Sequence, residues 1–211
     1  MENADMQRAV ETVQAARRNP SQKRSRERVE RILSVASGII EASGSDQMKM
    51  SEVAARAGIS IGSLYQYFPD KAAIIRTLAE HYNALGRDCI GAALEGVSTP
   101  AELERAFSEL VDTYYGMFLA EPVMRDIWSG TQADKALCDL DLADARANGD
   151  TLAAAMMRVA PGREADKVGS AALLIMHLGE ATMRLAIQVG EEKGRALVDD
   201  YKRIVLREML D

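Results

Sequence analysis

Between residues 60 and 71 the chain carries groups suited to reading a nucleic acid: the Ser60, Ser63, Tyr65 and Tyr67 hydroxyls, the Gln66 amide and the Lys71 ammonium. Glutamine pairs with adenine through two hydrogen bonds at the base edge, and Ser63 can reach base edges as well. Phenols bond phosphates or touch thymine methyls, and a lysine meets the backbone. Gly62 has no side chain, so the main chain can approach a ligand closely there. With Ser60 and Ile61 it stands at a helix start, where free N–H groups and the helix dipole favour a phosphate. Tyr65 and Tyr67 also have an ordinary reading, as rings packed against neighbouring helices.

Such groups act only if something aims them. Residues 51–71, SEVAARAGISIGSLYQYFPDK, read as two short helices joined by a tight turn. Val53, Ala54 and Ala57 form one apolar face, Gly58 is a C-terminal stop, and Ser60 is an N-cap for the second helix. That helix buries Leu64 and Phe68 at i and i+4 and leaves its hydroxyl, amide and phenol groups outside the core. Pro69 ends it, and Asp70 caps the next one. A helix, a glycine turn and a second helix bearing polar groups is the geometry that enters a DNA major groove.

The run AGISIGSLYQYFPDK resembles the signature of the tetracycline-repressor (TetR) family of one-component bacterial regulators. It matches that pattern at Ala57, Gly58, Ser60, Gly62, Ser63, Leu64, Tyr65, Tyr67, Phe68 and Lys71. The resemblance implies that Ser60, Ile61, Gly62, Tyr65, Tyr67 and Lys71 lie at the DNA. It also implies a small-molecule effector site in the C-terminal body and a last helix pair that forms a four-helix bundle with a second subunit. The sequence departs from the family in two places. Many members have a basic residue or proline where this chain has Ile61. Many have Thr ahead of the first hairpin helix, where this chain has Lys49 and Met50, leaving Ser51 as a cap or Lys49 as a phosphate contact. The motif covers about the first third of the chain.

The overall charge of −6 looks unfavourable for a DNA partner until it is divided along the chain. Residues 1–71 hold eleven Lys/Arg against nine Asp/Glu, and the remainder holds fifteen against twenty-three. Residues 17–31 alone hold seven basic and two acidic side chains. A basic end that approaches phosphates and an acidic body that does not is the simplest reading, although a charge run can also be a solvated arm. With 47% hydrophobic residues over 211 positions, the chain is long enough to bury a core. Its richness in Ala, Leu, Met, Glu and Arg favours helix throughout. No run of eighteen apolar residues occurs and the N-terminus is too polar for a signal peptide, so a cytoplasmic protein with no membrane partner is expected. Cys89 and Cys138 have no metal-type spacing and are expected as reduced thiols.

The fold class expected is all-α, with about nine helices: a three-helix helix-turn-helix unit, then a helical ligand-binding and dimerisation domain. Residues 1–23 read as a flexible basic arm, interrupted at Asn19-Pro20-Ser21, and 24–70 as the DNA-binding unit, with Val29, Ile32, Leu33, Ala36, Ile39 and Ile40 inward on its first helix. A connecting helix spans 71–94. The effector-binding and dimerisation part occupies 95–211, with Asn148-Gly149 as a possible kink in its third helix. There, Tyr114, Phe118, Met124, Trp128, Met176, His177, Glu180 and Met183 are candidate ligand-binding residues. Methionine and aromatic walls adapt to apolar ligands, and Glu180, His177, Arg184 or Asp126 could orient one. Each has an ordinary alternative as core. Ala172, Ile175, Gly179, Thr182, Tyr201 and Val205 are candidates for a homodimer interface, because the last two helices are apolar on more than one side.

Catalysis finds no constellation here. The two histidines, His81 and His177, lie far apart in sequence, and there is no zinc motif, phosphate loop or nucleophile elbow. No cofactor or metal is expected. The expected function is therefore a sequence-specific transcription regulator, a repressor that binds a palindromic double-stranded DNA operator as a dimer and is released by a small, largely apolar effector. An activator of the same type and an effector-independent architectural DNA binder remain open.

Overall fold

Helix is the only regular structure among the described residues of the computed structural model, which cover the backbone at 2–130 and 134–210 and the side chains at 22–128 and 134–210. Nine helices follow in order: α1 (Glu2–Ser43), α2 (Met50–Ala57), α3 (Ile61–Tyr67), α4 (Lys71–Leu94), α5 (Pro100–Ala120), α6 (Pro122–Gly130), α7 (Lys135–Val159), α8 (Ala165–Gln188) and α9 (Glu191–Leu210). The backbone of the arm expected over 1–23 belongs to α1, with no interruption at Asn19-Pro20-Ser21, and its side chains up to residue 21 lie outside the described residues.

The chain divides into two units, Met1–Ile74 and Ile75–Asp211, so the division falls within α4. In the first unit four of the six stripe residues read from sequence are buried, and Val29 and Leu33 are half-buried. Ile32, Ala36, Ile39 and Ile40 of α1 share a core with Met48, Val53, Ala54, Ala57, Leu64 and Phe68. Packing of α2 against both α1 and α3 buries apolar surface that holds helices too short to survive alone.

In the second unit α8 packs between α7 and α9, while α5 touches α6, α7, α8 and α9. By length and hydropathy α8 could cross a membrane; Glu180 is buried on it, and it packs against α7 and α9. Thr99 starts α5 with a capping box: its hydroxyl accepts from Glu102 N–H, and the Glu102 carboxylate accepts from Ser98 and Thr99 N–H. Those bonds hold the Glu102 carboxyl below its usual range. Arg158 on α7 donates to Leu94 O at 2.6 Å and Val97 O at 3.1 Å, satisfying carbonyls where α4 ends. Helix α7 is unbroken through Asn148-Gly149, the place considered for a kink. Gly149 serves another purpose: a Cβ there would sit 3.0 Å from Leu173 Cα, so the glycine lets the α7 and α8 backbones approach.

Candidate DNA-reading face and ligand cavity

Helix α2 starts at Met50, with exposed Lys49 in the N-cap position and no side-chain cap, so Ser51 does not serve as one. It ends at Gly58, whose φ of 68° and ψ of 34° lie in the left-handed region that glycine adopts without strain. Ile59 N–H then donates to Ala54 O at 3.0 Å, closing the turn. Ser60 Oγ accepts from Ser63 N–H at 3.1 Å, so the hydroxyl read as a cap is one. Leu64 and Phe68 anchor α3 in the core.

With those two side chains inward, the opposite face is fixed. Ile61 is 42% and Tyr65 50% exposed, and Gly62 and Gln66 are exposed beside them. These four positions, spaced i, i+1, i+4 and i+5, lie on one side of a helix. Ser63 and Tyr67 are half-buried at its flanks. Asp70 Oδ1 accepts from Ala73 N–H at 2.7 Å, the cap expected for α4. Lys71 has a role that the sequence did not disclose. Its Nζ donates to Ser45 O and Asp46 O, both at 3.1 Å, tying the start of α4 to the turn between α1 and α2.

The second unit holds a cavity of about 60 Å³, walled by α4, α5, α7, α8 and α9. Of the expected ligand residues, Tyr114, Met176, Glu180 and Met183 line it. Phe118, Met124 and Trp128 are buried in the core and do not, while His177 is exposed. Phe118 and Trp128 act as backing instead. Phe118 meets Tyr114 edge to face at 5.0 Å, and Trp128 meets Tyr82, another wall residue, at 6.2 Å. Two residues nominated for the dimer interface, Gly179 and Tyr201, also face this cavity. Tyr201 donates to Ile175 O at 2.7 Å, and burial pushes its phenol pKa up. Ala172, Ile175 and Val205 are covered within their own chain, and the Thr182 hydroxyl donates to Leu178 O. The large apolar side chains left open on α8 are others: Leu174, Leu178 and Leu185, with Ile204 on α9.

Around the cavity lies a group of buried polar side chains: Asn83, Asp141, Asp144, Asn148 and Glu180. Asp144 pairs with Arg87 of α4 and accepts from Asn148 Nδ2 at 2.8 Å. Glu180 is 7% and Asn83 5% exposed, and Glu180 Oε2 and Asn83 Nδ2 have no hydrogen-bond partner in the protein. Burial, reinforced by Asp141, pushes the Glu180 carboxyl up to about 8 against the pull of Arg184. Burial likewise moves Asp141 up to about 6, and Asp144 upward despite its bond to Arg87. The Tyr114 phenol is pushed well above its ordinary value by burial and then by Glu180. Sequence reasoning named Glu180 and missed the rest, although a signal existed. Asp141, Asp144 and Asn148 recur at helical spacing and continue into Leu152, Ala155 and Met156, so the inward stripe of α7 is polar at one end.

Two family models cover most of the chain. The model described as bacterial regulatory proteins, tetR family, matches residues 32–78, and the one described as tetracyclin repressor-like, C-terminal domain, matches residues 101–211. The chain belongs to the TetR family. It is an all-helical DNA-binding transcription regulator, and regulators of this family are not enzymes.

Solved TetR-family structures share the fold at low identity. A TetR-family regulator from Streptomyces coelicolor superposes with a TM-score of 0.67 at 23% identity, over 89% of this chain and 99% of that one. The TetR-family repressor AlkX of Dietzia sp., implicated in n-alkane biodegradation, gives 0.58 at 18%, over 86% and 95%. FadR of Bacillus subtilis in complex with stearoyl-CoA gives 0.60 at 14%, over 86% and 97%. No curated protein sequence matches the chain.

Proposed function

We propose that this TetR-family regulator is a cytoplasmic, ligand-responsive repressor that binds a two-fold symmetric operator as a homodimer. The observation that carries the reading is the outward face of α3. Ile61, Gly62, Tyr65 and Gln66 are free for base edges and phosphates while Leu64 and Phe68 lock the helix beneath them. Ser60, Ser63, Tyr67 and exposed Lys49 flank that face as further DNA contacts, and Lys71 keeps one ammonium donor beyond the two it commits to the turn.

The dimer reading is supported by the open apolar face of α8 and α9. Leu174 is 57% and Ile204 60% exposed, and Leu178 and Leu185 extend the patch. A second copy would cover it, and a two-fold dimer would present two α3 helices to a palindrome. The contact would centre on these residues, with Ile175 and Val205 lining the groove between Leu174, Leu178 and Ile204.

The ligand reading rests on the cavity and its partnerless buried polar atoms, with the stearoyl-CoA complex of a distant relative in support. Tyr114, Met176, Glu180 and Met183 would meet the ligand. Asp144 both lines the cavity and holds Arg87 on α4, the helix continuous with Lys71, so a ligand that displaces Asp144 also disturbs α4. Preference of that ligand for the α4 position incompatible with operator would release the DNA.

Selecting bound fragments from a random DNA pool with the purified protein tests the reading. A two-fold symmetric consensus is expected. Equal recovery of all sequences, with a steep salt slope, would make the chain a non-specific DNA binder instead.

A further inference from the structure

The wall chemistry of the cavity is one-sided. The cavity is lined by Asp144 and Glu180, and among its described lining residues none is Lys, Arg or His. Counted with their neighbours, three carboxylates, Asp141, Asp144 and Glu180, face two guanidinium groups, Arg87 and Arg184. Arg87 is already committed to Asp144. With all three carboxyls ionised the cluster is one positive charge short of balance, a deficit that a proton on Glu180 covers until a cation replaces it. Glu180 Oε2 and Arg184 Nη1 are both buried without a protein partner, and of these two residues only Glu180 lines the cavity. A buried carboxylate without partners costs stability and persists where it serves a ligand. A metal ion does not fit, since among the described residues no three His, Cys, Asp or Glu are grouped to hold one.

We propose that this cavity takes a singly charged amphiphilic organic cation, whose protonated amine sits against Glu180 and whose apolar body lies among the aromatic and methionine walls. The inference rests on reading the cavity as the effector site. Tyr82, Tyr114 and Tyr201 line it, offering ring faces to a cation as well as apolar surface. Met117, Met176 and Met183 are the adaptable part of the wall. They have to swing aside, because a cavity of about 60 Å³ is small for such a body. Asn83 offers its free Nδ2–H to an acceptor atom on the ligand.

The carboxyl of Glu180, pushed up to about 8, is mostly protonated at neutral pH. An arriving ammonium favours its ionised form, so the carboxylic acid gives its proton to solvent and the ammonium keeps its own. The groups that set this balance are Asp141 and Asp144 from α7, Arg184 beside Glu180 on α8, His177 facing Asp141, Arg87 from α4 and the Tyr114 phenol from α5.

Calorimetric titration of the full chain with decylammonium, 1-decanol and decanoate separates the outcomes, because the three probes share one tail and differ in head charge. Decylammonium is expected to bind about tenfold more tightly than the alcohol at neutral pH, with decanoate weakest. Its heat should vary with buffer ionisation enthalpy, reporting proton release. Glu180→Gln should remove both the preference and the proton release while changing alcohol affinity by no more than about twofold. If that variant does not fold, the wild type decides: the preference for ammonium over alcohol should rise between about pH 6 and pH 8.5 as Glu180 ionises. A flat preference overturns the assignment. Equal binding of all three probes, abolished by Gly179→Leu, which places bulk against Tyr201 in the cavity, would keep the effector site and overturn its charge class. No binding by any probe, or binding indifferent to Gly179→Leu, would overturn the site itself.

Discussion

Gln66 and Lys71 are both polar residues beside the reading helix, yet their surroundings give them different work. Gln66 is exposed with no task in the fold, so Gln66→Ala should leave the melting temperature unchanged and relax sequence preference by about 1–3 kcal/mol at one base pair. Competition between the selected site and its single-base variants measures this. Lys71 holds two carbonyls of the α1–α2 turn, so Lys71→Ala should weaken binding to all sequences alike and also cost about 1 kcal/mol of thermal stability. Glu180 gives a pH signature. Its folded-state pKa lies above the unfolded value of about 4.5, so the folded chain holds a proton that the unfolded one releases. That contribution is fully present below about pH 4.5 and is lost as pH rises towards 8. Glu180→Gln should therefore be more stable than wild type at pH 8, by on the order of a few kcal/mol, with the advantage shrinking towards pH 5, as urea melts would show. At this scale the caps at Ser60 and Asp70 were legible, because a cap is a local bargain between one side chain and nearby N–H groups. Asn83 was not, because its burial depends on which helices close over it, whereas the polar stripe of Asp141, Asp144 and Asn148 stood at helical spacing and was passed over.

The α2–α3 turn carries its specification in one glycine. Nothing lies within 4 Å of a Cβ built on Gly58, so substitution meets backbone strain rather than crowding. Gly58→Val should cost about 1–2 kcal/mol, and Gly58→Asn less, since asparagine tolerates the left-handed region. Thermal melts of the two variants test the order. Helix extents from α4 to α9 follow from apolar periodicity and from Pro100, Pro122, Pro161 and Gly190 as punctuation, and those signals stand in the sequence. The phase of α8 does not. It is apolar on two sides, and residue types alone do not say which side meets α9. Ala172 and Ile175 turned inward, and Leu174 and Leu178, one register step away, were left open.

For the whole molecule, that open face makes a prediction about assembly. Ile204→Glu, or Leu178→Glu, should shift the protein from dimer to monomer in sedimentation velocity without changing its helical circular dichroism, because both side chains already face solvent in one chain. A variant that stays dimeric would place the contact elsewhere. The charge division along the sequence also acts at this scale, drawing the basic end towards phosphate while the acidic body stays clear, and it should appear as a salt-dependent association rate. The central claim is that operator and ligand compete through one chain. The direct test is operator affinity, by fluorescence anisotropy, with and without saturating decylammonium. The account predicts that the ligand weakens operator binding by about 5- to 150-fold, and that operator weakens ligand binding by the same factor. Operator affinity unchanged by a ligand shown calorimetrically to be bound would contradict it.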